Sequence, residues 1–558
     1  MSTPSLALIP TGFKAGKVYS VLPESGVGDF TFTRASEATR INSAGLLEVE
    51  ATGVPRLEYP LIDGVVNGCP SLLLEPQATN LITYPISFGN PYWTKSGATI
   101  EGDPSTAGAE QVVNGDFATD TDWTKGTGWS IGGGVASCDG TQTAITVLNQ
   151  IGTYTINKTY KITYTIVSIT TGSIDVRFQG GGATVVGANR TTSGTYTDYL
   201  TSTGNTSFRF RANSTFIGTI DNVSVKEVQG YSSPSVDFPT SAFKLVEDTS
   251  TGRHETQAPS SSSGDLAFSF FAKKGENSFI QITNGKDASA YANFDLNLGV
   301  VGSSNVYTPT IIDYGNGWYR CIAAINAALS INYARIGLIT SSTSARVESY
   351  TGDGTSGVYL FMSQLEQGSY ATSPTLTSLS AEGTTTTRVA ETCNGAGNAS
   401  TFNDSEGVLM AQISALANDG TYRMISISDG TVNNATTIQY SGVSNTIRTR
   451  IENGGLPQAD ITYIISSPTA LNKIAVLYKS NQFELWSNGF KVGEDTIGTP
   501  PSGINKLSFD RADGLNPFYG KTSQIQYFQT VLTSAELETL TSWTSFIAMA
   551  NAQNYNII

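Results

Sequence analysis

Runs such as Tyr160-Lys-Ile-Thr-Tyr-Thr-Ile166 and Ser207-Phe-Arg-Phe-Arg211 alternate polar and apolar residues, and clusters of Gly, Asn, Asp and Ser close each of them. A period of two sends successive side chains to opposite faces of a strand. Turn signals recur roughly every ten residues along the chain, the spacing of sandwiches and barrels. The pattern predicts an all-β chain of antiparallel β-sandwiches and jelly rolls with little helix. Helical spacing is clearest near the C-terminal end. There Thr533-Ser-Ala-Glu536 forms a capping box, and Leu537, Leu540 and Trp543 follow on one face. With 558 residues the chain exceeds one ordinary core, and about three to four domains follow from that length.

Charge narrows the function classes. Only 14% of residues are charged, well under the usual quarter or so. The polar surface must come from Ser, Thr, Asn and Gly, which suits neutral sheet faces and tight turns. The net charge is −14, and no long Lys/Arg run is present. A nucleic-acid groove needs clustered cations, so that role is not expected. Anionic membranes would be repelled, whereas an uncharged glycan is indifferent to this field. No segment reaches the roughly 20 apolar residues of a membrane span, so membrane insertion is not expected. Cys69, Cys138, Cys321 and Cys393 are far apart, without CxxC or zinc spacing. All four are read as reduced, with Cys321 a small buried hydrophobe. The apolar run Leu6 to Ile9 is too short for a signal-peptide core.

Several motifs carry a resemblance. Gly315-Asn-Gly-Trp-Tyr-Arg320 is a turn feeding an aromatic strand, and Gln364-Leu-Glu-Gln-Gly-Ser-Tyr-Ala-Thr-Ser-Pro-Thr375 is an apolar strand that ends a sandwich. Upstream stand Thr33-Arg-Ala-Ser36, Pro55-Arg-Leu-Glu-Tyr59 and Ser71-Leu-Leu-Leu-Glu-Pro-Gln-Ala-Thr-Asn-Leu81. Together they resemble a β-rich domain of bacteriophage fibre and spike proteins and the segment that commonly precedes it. Residues 1–84 are read as an N-terminal virion-attachment unit. Residues 85–110 and 230–383 are read as a discontinuous fibre sandwich. Its first strand lies in Pro91-Tyr-Trp-Thr-Lys-Ser-Gly-Ala-Thr-Ile100, and its continuation resumes at Phe243-Lys-Leu-Val-Glu-Asp248. The block between, residues 111–229, opens with Val113-Asn-Gly-Asp-Phe117 and closes with Thr219-Ile-Asp-Asn-Val-Ser-Val225. It resembles a carbohydrate-binding jelly roll, whose first and last strands lie side by side, as insertion into a loop requires. Residues 384–558 resemble a laminin-G or concanavalin-like sandwich. Their marks are the hairpin Phe483-Glu-Leu-Trp-Ser-Asn-Gly-Phe-Lys-Val492, the strand ending at Phe528 and the short helix.

The resemblance implies a structural virion protein, a fibre or spike on head or tail that displays modules for attachment to host-surface glycans. It implies a homotrimer partnered with capsid, portal, tail or baseplate proteins, assembled in the host cytoplasm and located on the virion. Two alternatives stand beside it: a decoration protein without a receptor-binding role, and a polysaccharide depolymerase tailspike.

The search for chemistry yields no catalytic residue, and a non-enzyme is expected. The chain has one histidine, His254, in a polar turn-like stretch; it reads as an exposed or edge-strand residue. Glycoside hydrolysis needs two carboxylates at a set separation, for which Glu484, Asp510 and Asp513 are candidates. The Glu-X-Asp-X-X-Glu run of concanavalin-like glucanases is absent. No cofactor is certain. A structural calcium in the inserted module would use Asp116 and Asp221, which otherwise read as turn residues. Sugar stacking would use Trp123, Trp129, Tyr196 or Tyr199 in that module. Trp123 and Trp129 are as well suited to a core. Tyr196 and Tyr199, three apart, face opposite ways on a straight strand.

Overall fold

A computed structural model describes residues 2–102, 107–156, 158–228, 230–285, 287, 289–325, 330–375, 382–544, 548 and 552. The fold is all-β, built from antiparallel sheets, with one short α-helix among the described residues, at Ser534–Thr541. Contacts divide the chain into two compact units. One comprises Met1–Thr99, Pro234–Pro239 and Lys244–Ile558; the other comprises Ile100–Ser233 and Thr240–Phe243.

In the larger unit, a nine-stranded sheet faces an eight-stranded one. The nine-stranded sheet ends in the neighbouring strands Arg423–Ser428, Ala435–Tyr440, Thr446–Asn453 and Leu456–Ile464. The eight-stranded sheet is centred on Asn472–Lys479, Glu406–Ala415 and Gly520–Phe528. Ile425, Ile427, Ile438 and Ile451 from the first meet Leu409, Ile413, Val476 and Ile525 from the second in one core. The predicted hairpin turn is present, with Asn488 and Gly489 both at positive φ, as a type I′ pair requires. Thr533 and Glu536 form the capping box. Leu537 and Leu540 press the helix onto Val408, Met410, Leu477 and Trp486 on the outer side of the eight-stranded sheet.

Residues 1–84 do not form a unit of their own, contrary to the sequence expectation. Leu6–Leu8 pairs with Gly520–Phe528, placing Leu6 opposite Tyr527. Ser71–Leu74 pairs with the same strand, with Leu72 opposite Thr522. Phe30–Thr33 pairs with Thr392–Ala396. The physical reason is burial. Leu6, Leu8, Leu72 and Leu74 are fully apolar strand residues that need a second sheet, and the C-terminal sandwich supplies it.

The fibre-like motifs belong to two six-stranded sheets of this unit. Trp318–Ile325 lies between Leu266–Lys274 and Thr308–Asp313, and Gly357–Gln367 lies on the other side of Leu266–Lys274. Thr94–Ser96 pairs with His254–Ser263 in the second sheet. The polar residues of the upstream motifs converge on one buried ionic cluster. Arg34 contacts Glu391 at 2.8 Å, Arg56 bridges Glu391 and Glu75, and Arg388 contacts Glu75 at 2.6 Å. Ser373 donates its backbone N–H to Glu75 at 2.8 Å, and Thr372 donates its own to Glu366 at 2.9 Å. Asn80 donates to the Ser363 carbonyl and accepts from the Leu365 N–H. Burial alone would raise the Glu75 carboxyl, but the Arg388 and Arg56 guanidiniums and Ser373 outweigh it and hold the group at about 2. The Thr-Arg-Ala-Ser, Pro-Arg and Leu-Glu-Pro-Gln motifs are therefore structural: they lock the N-terminal strands to the segment that leaves the fibre-like sheets.

The smaller unit is a sandwich. One sheet runs Trp129–Gly132, Val135–Cys138, Ile217–Val228, Thr159–Thr171 and Gly194–Thr201, and the other is centred on Thr146–Ile151, Ser207–Ala212 and Ile174–Gln179. Its opening and closing segments are adjacent, since Ala107–Glu110 pairs with Ile217–Val228. The Val223 N–H donates to the Gly115 carbonyl at 2.8 Å. A Cβ at Gly115 would lie 2.0 Å from the Val223 carbonyl oxygen, so the approach requires glycine.

Candidate functional site

Trp123 and Trp129 are core residues, which corrects their candidacy as sugar platforms. Trp123 packs on Phe117, Phe208 and Phe210, and its indole N–H donates to the Asn114 carbonyl at 3.0 Å. Trp129 alternates inward with Ile131 and packs near Phe216. Two sheets of a small sandwich need large apolar side chains between them, and these indoles fill that space. Tyr196 and Tyr199 face opposite ways on Gly194–Thr201. Tyr196 packs against the core with the Arg190 guanidinium 4.5 Å from its ring centroid. Tyr199 is 46% exposed on the outer face, opposite Lys161.

Asp116 and Asp221 fall in the adjoining opening and closing segments. The Asp116 carboxylate accepts from the Ala118 N–H at 3.4 Å, and Asp221 accepts from the Asn222 N–H at 2.6 Å. These are the local bonds of turn residues. Among the described residues, no group of three or more His, Cys, Asp or Glu side chains is arranged to hold a metal ion.

His254 is neither exposed nor on an edge strand. It is 1% exposed and its strand lies between two others. Its Nδ1 meets the Gly97 carbonyl, and its Nε2 lies 3.2 Å from the Tyr350 carbonyl. Backbone carbonyls face both ring nitrogens, and a neutral imidazole donates its one N–H to one of them. Each carboxylate candidate has partners of its own, and Asp513 lies near enough to Asp510 to push its carboxyl up. Glu484 lies in the eight-stranded sheet and accepts from the Trp486 indole N–H at 2.8 Å. Asp510 follows the nine-stranded sheet; burial raises its carboxyl, while the Ala512 N–H and Asn394 hold it. Asp513 is paired with Arg511 at 2.6 Å, which keeps its carboxyl low.

A cleft of about 340 Å³ lies on the outward face of the nine-stranded sheet. The local sequence explains its floor. In Ala435–Tyr440 the residues Ile438 and Tyr440 point into the core, so Ala435, Thr437 and Gln439 point out. Their cross-strand partners are Glu452, Arg450 and Arg448. Tyr422, Asn433, Arg511 and Asn516 form the sides. Arg448 forms a fork with Asp460, and this pairing raises its guanidinium pKa; Arg450 pairs with Glu452. Gln439 is 2% exposed and donates to the Thr437 hydroxyl at 3.2 Å. Its Oε1 and the Oε2 of Glu452 are buried without a hydrogen-bond partner. Sequence reasoning missed this site. Its signal was the polar member of each alternation in Thr436-Thr-Ile-Gln439 and Ile447-Arg-Thr-Arg450, which reads as an ordinary solvated sheet face.

No protein-family pattern matches the chain, and no curated protein sequence matches it. Among solved structures it is similar to a leech intramolecular trans-sialidase complexed with 2,7-anhydro-Neu5Ac prepared by soaking with 3′-sialyllactose. That likeness has 16% identity and a TM-score of 0.23, and it covers 27% of each chain. The chain thus matches about a quarter of the trans-sialidase's length. It is also similar to domains LG4-5 of the mouse laminin α1 chain. There the identity is 11% and the TM-score 0.19, over 51% of this chain and 90% of that one.

Proposed function

We propose that the chain is a fibre or spike component of a bacteriophage particle whose β-sandwiches attach to host-surface glycans. The observation that carries the binding half is the cleft over Gln439. It combines one aromatic side chain, Tyr422, with several amide and guanidinium groups. Sugar recognition uses that combination: a ring against the apolar face of a pyranose, and convergent polar groups for its hydroxyls. The virion half rests on the motif resemblance, and the buried ionic cluster gives those motif residues a carrier's task of rigidity. Binding would be weak at each cleft and strong in a homotrimer displayed many times per particle. Glu452, which lines the cleft, is paired with Arg450, and Asp460 behind it with Arg448.

A glycan array probed with multivalent protein tests the reading, and the absence of any retained glycan at high valency sinks it. Release of products from capsule or cell-wall polysaccharide would replace it with the depolymerase. Particles that lack the protein, adsorb normally and lose physical stability would replace it with a decoration role.

A further inference from the structure

Building on the reading of the chain as a glycan-attachment protein, we infer that the smaller unit carries a second site, an arginine-rich sheet face that holds the acidic groups of a carboxylate- or sulfate-bearing polysaccharide. Alternation sets the face. On Ser207–Ala212 the residues Phe208, Phe210 and Ala212 fill the core, so Arg209 and Arg211 point outward. On Ile174–Gln179 the core residues are Ile174, Val176 and Phe178, so Asp175, Arg177 and Gln179 share the outward face. On Thr146–Ile151 Leu148 is inward, and Val147 and Asn149 are outward. Register puts Arg177 directly opposite Arg209, and Asn149 opposite Arg209 on its other side. Three guanidiniums therefore meet on two neighbouring strands, and all three residues are half-buried rather than sealed.

The charges on this face do not balance. One carboxylate, Asp175, serves it: Arg177 forks onto Asp175, with Nη2 at 3.0 Å, and Arg211 reaches it at 3.4 Å. Arg209 has no carboxylate within ion-pair distance among the described residues, and its Nη2 donates to the Ser207 hydroxyl at 3.0 Å. Burial and the adjacent Arg177 charge both push the Arg209 guanidinium down. Like charges directly opposite on a sheet are destabilising. On the nine-stranded sheet, by contrast, the outward Arg448 and Arg450 are matched by Asp460 and Glu452. Charged residues are only 14% of this chain and its net charge is −14, so three guanidiniums against one carboxylate depart from the rest of the molecule. An oxyanion set among Arg177, Arg209 and Arg211 supplies the missing countercharge, and planar guanidiniums grip carboxylate and sulfate through paired N–H groups. The Asn149 and Gln179 amides on the same face suit sugar hydroxyls. None of these outward residues is aromatic, so the face lacks the stacking platform that single-stranded nucleic acid uses.

The test presents the full chain to polygalacturonate, dextran sulfate, neutral dextran and poly(dT) on biolayer interferometry sensors, at low and high salt. Polygalacturonate and dextran sulfate separate a carboxylate from a sulfate ligand. The expected result is retention of one or both, above neutral dextran and poly(dT), that falls steeply at high salt as exposed charges are screened. Asn149→Asp sets a carboxylate opposite Arg209 with almost no change of shape. It is expected to weaken retention about tenfold or more, as loss of charged hydrogen bonds does, while the smaller unit's urea midpoint stays or rises. Arg209→Gln is expected to give the same loss and provides a second variant should Asn149→Asp fold poorly. Retention unmoved by folded Asn149→Asp and Arg209→Gln overturns the placement of the site. Equal retention of poly(dT) overturns the polysaccharide class. Failure of both acidic polymers, with neutral glycans still retained on the glycan array, overturns the acidic-ligand inference and leaves glycan attachment standing. No retention of any glycan at high valency overturns the attachment reading itself.

Discussion

Glu391 sits at the centre of the larger unit's buried ionic cluster. Its carboxylate is fully buried and accepts from Arg34 Nη1 at 2.8 Å, from both Nε and Nη2 of Arg56, and from the Glu75 backbone N–H at 2.9 Å. Burial lowers the Arg34 guanidinium, Glu391 works against that, and Arg56 and Arg388 push it lower again. The cluster holds three arginines and two glutamates. Glu391→Gln preserves volume, yet leaves three guanidiniums against one carboxylate and turns an NH₂ toward N–H donors. Breaking a buried ion pair from one side costs about 3–5 kcal/mol. Urea unfolding followed by circular dichroism should show the larger unit's transition at lower urea by that amount, with the Ile100–Ser233 unit unmoved. Arg34→Met added to Glu391→Gln should cost less than the sum of the two single changes, because it removes one of the stranded cations. A loss below about 1 kcal/mol, or strict additivity in the double variant, would show that the cluster is solvated in solution and that its burial is not what joins these strands.

Four further outcomes follow from the same structure. Glu75 has a folded pKa of about 2 against an ordinary 4.5, so its contribution is fully present above pH 4.5 and is lost as pH falls toward 2. The gap is worth on the order of 3 kcal/mol, and urea midpoints measured across that window should lose their slope in Glu75→Gln. Trp123→Ala should destabilise the smaller unit by about 3–5 kcal/mol, whereas Tyr199→Ala should stay within about 0.5 kcal/mol, both by urea titration. Gly115→Ala, which drives a Cβ onto the Val223 carbonyl, should lower that unit's stability by about 1–3 kcal/mol in calorimetry. Thr533→Ala removes the capping hydroxyl and should cost about 1 kcal/mol, read as earlier hydrogen exchange in Ser534–Thr541.

What the sequence disclosed was local. Period-two runs, the Asn488-Gly489 turn and the Thr533 capping box depend on neighbours within a few residues, and each appears where expected. The opposite facing of Tyr196 and Tyr199 follows from alternation alone. Distant partners were not readable. Trp123 is buried by Phe208 and Phe210 from another strand, and His254 by carbonyls at Gly97 and Tyr350. The motif residues Arg34, Arg56 and Glu75 stood out as a pattern, but their common destination depends on Arg388 and Glu391, more than three hundred residues later. The cleft stayed hidden for a related reason. Gln439 sits on a strand whose outward residues look solvated, and the cleft is completed by Tyr422, Arg511 and Asn516 from elsewhere in the chain.

The pairing of Leu6–Leu8 with Gly520–Phe528 also governs how this protein can be made. Leu6 meets Tyr527 only after all the chain between them has left the ribosome, roughly half a minute to two minutes at about 5–20 residues per second. Until then its first strand is an unsealed edge, exposed to any other strand in the cell. The smaller unit has no such wait, since its closing strand ends at Val228. The larger unit cannot mature in stages from the N-terminal end. A chain cut short before Phe528 should remain open along that seam and protease-sensitive there.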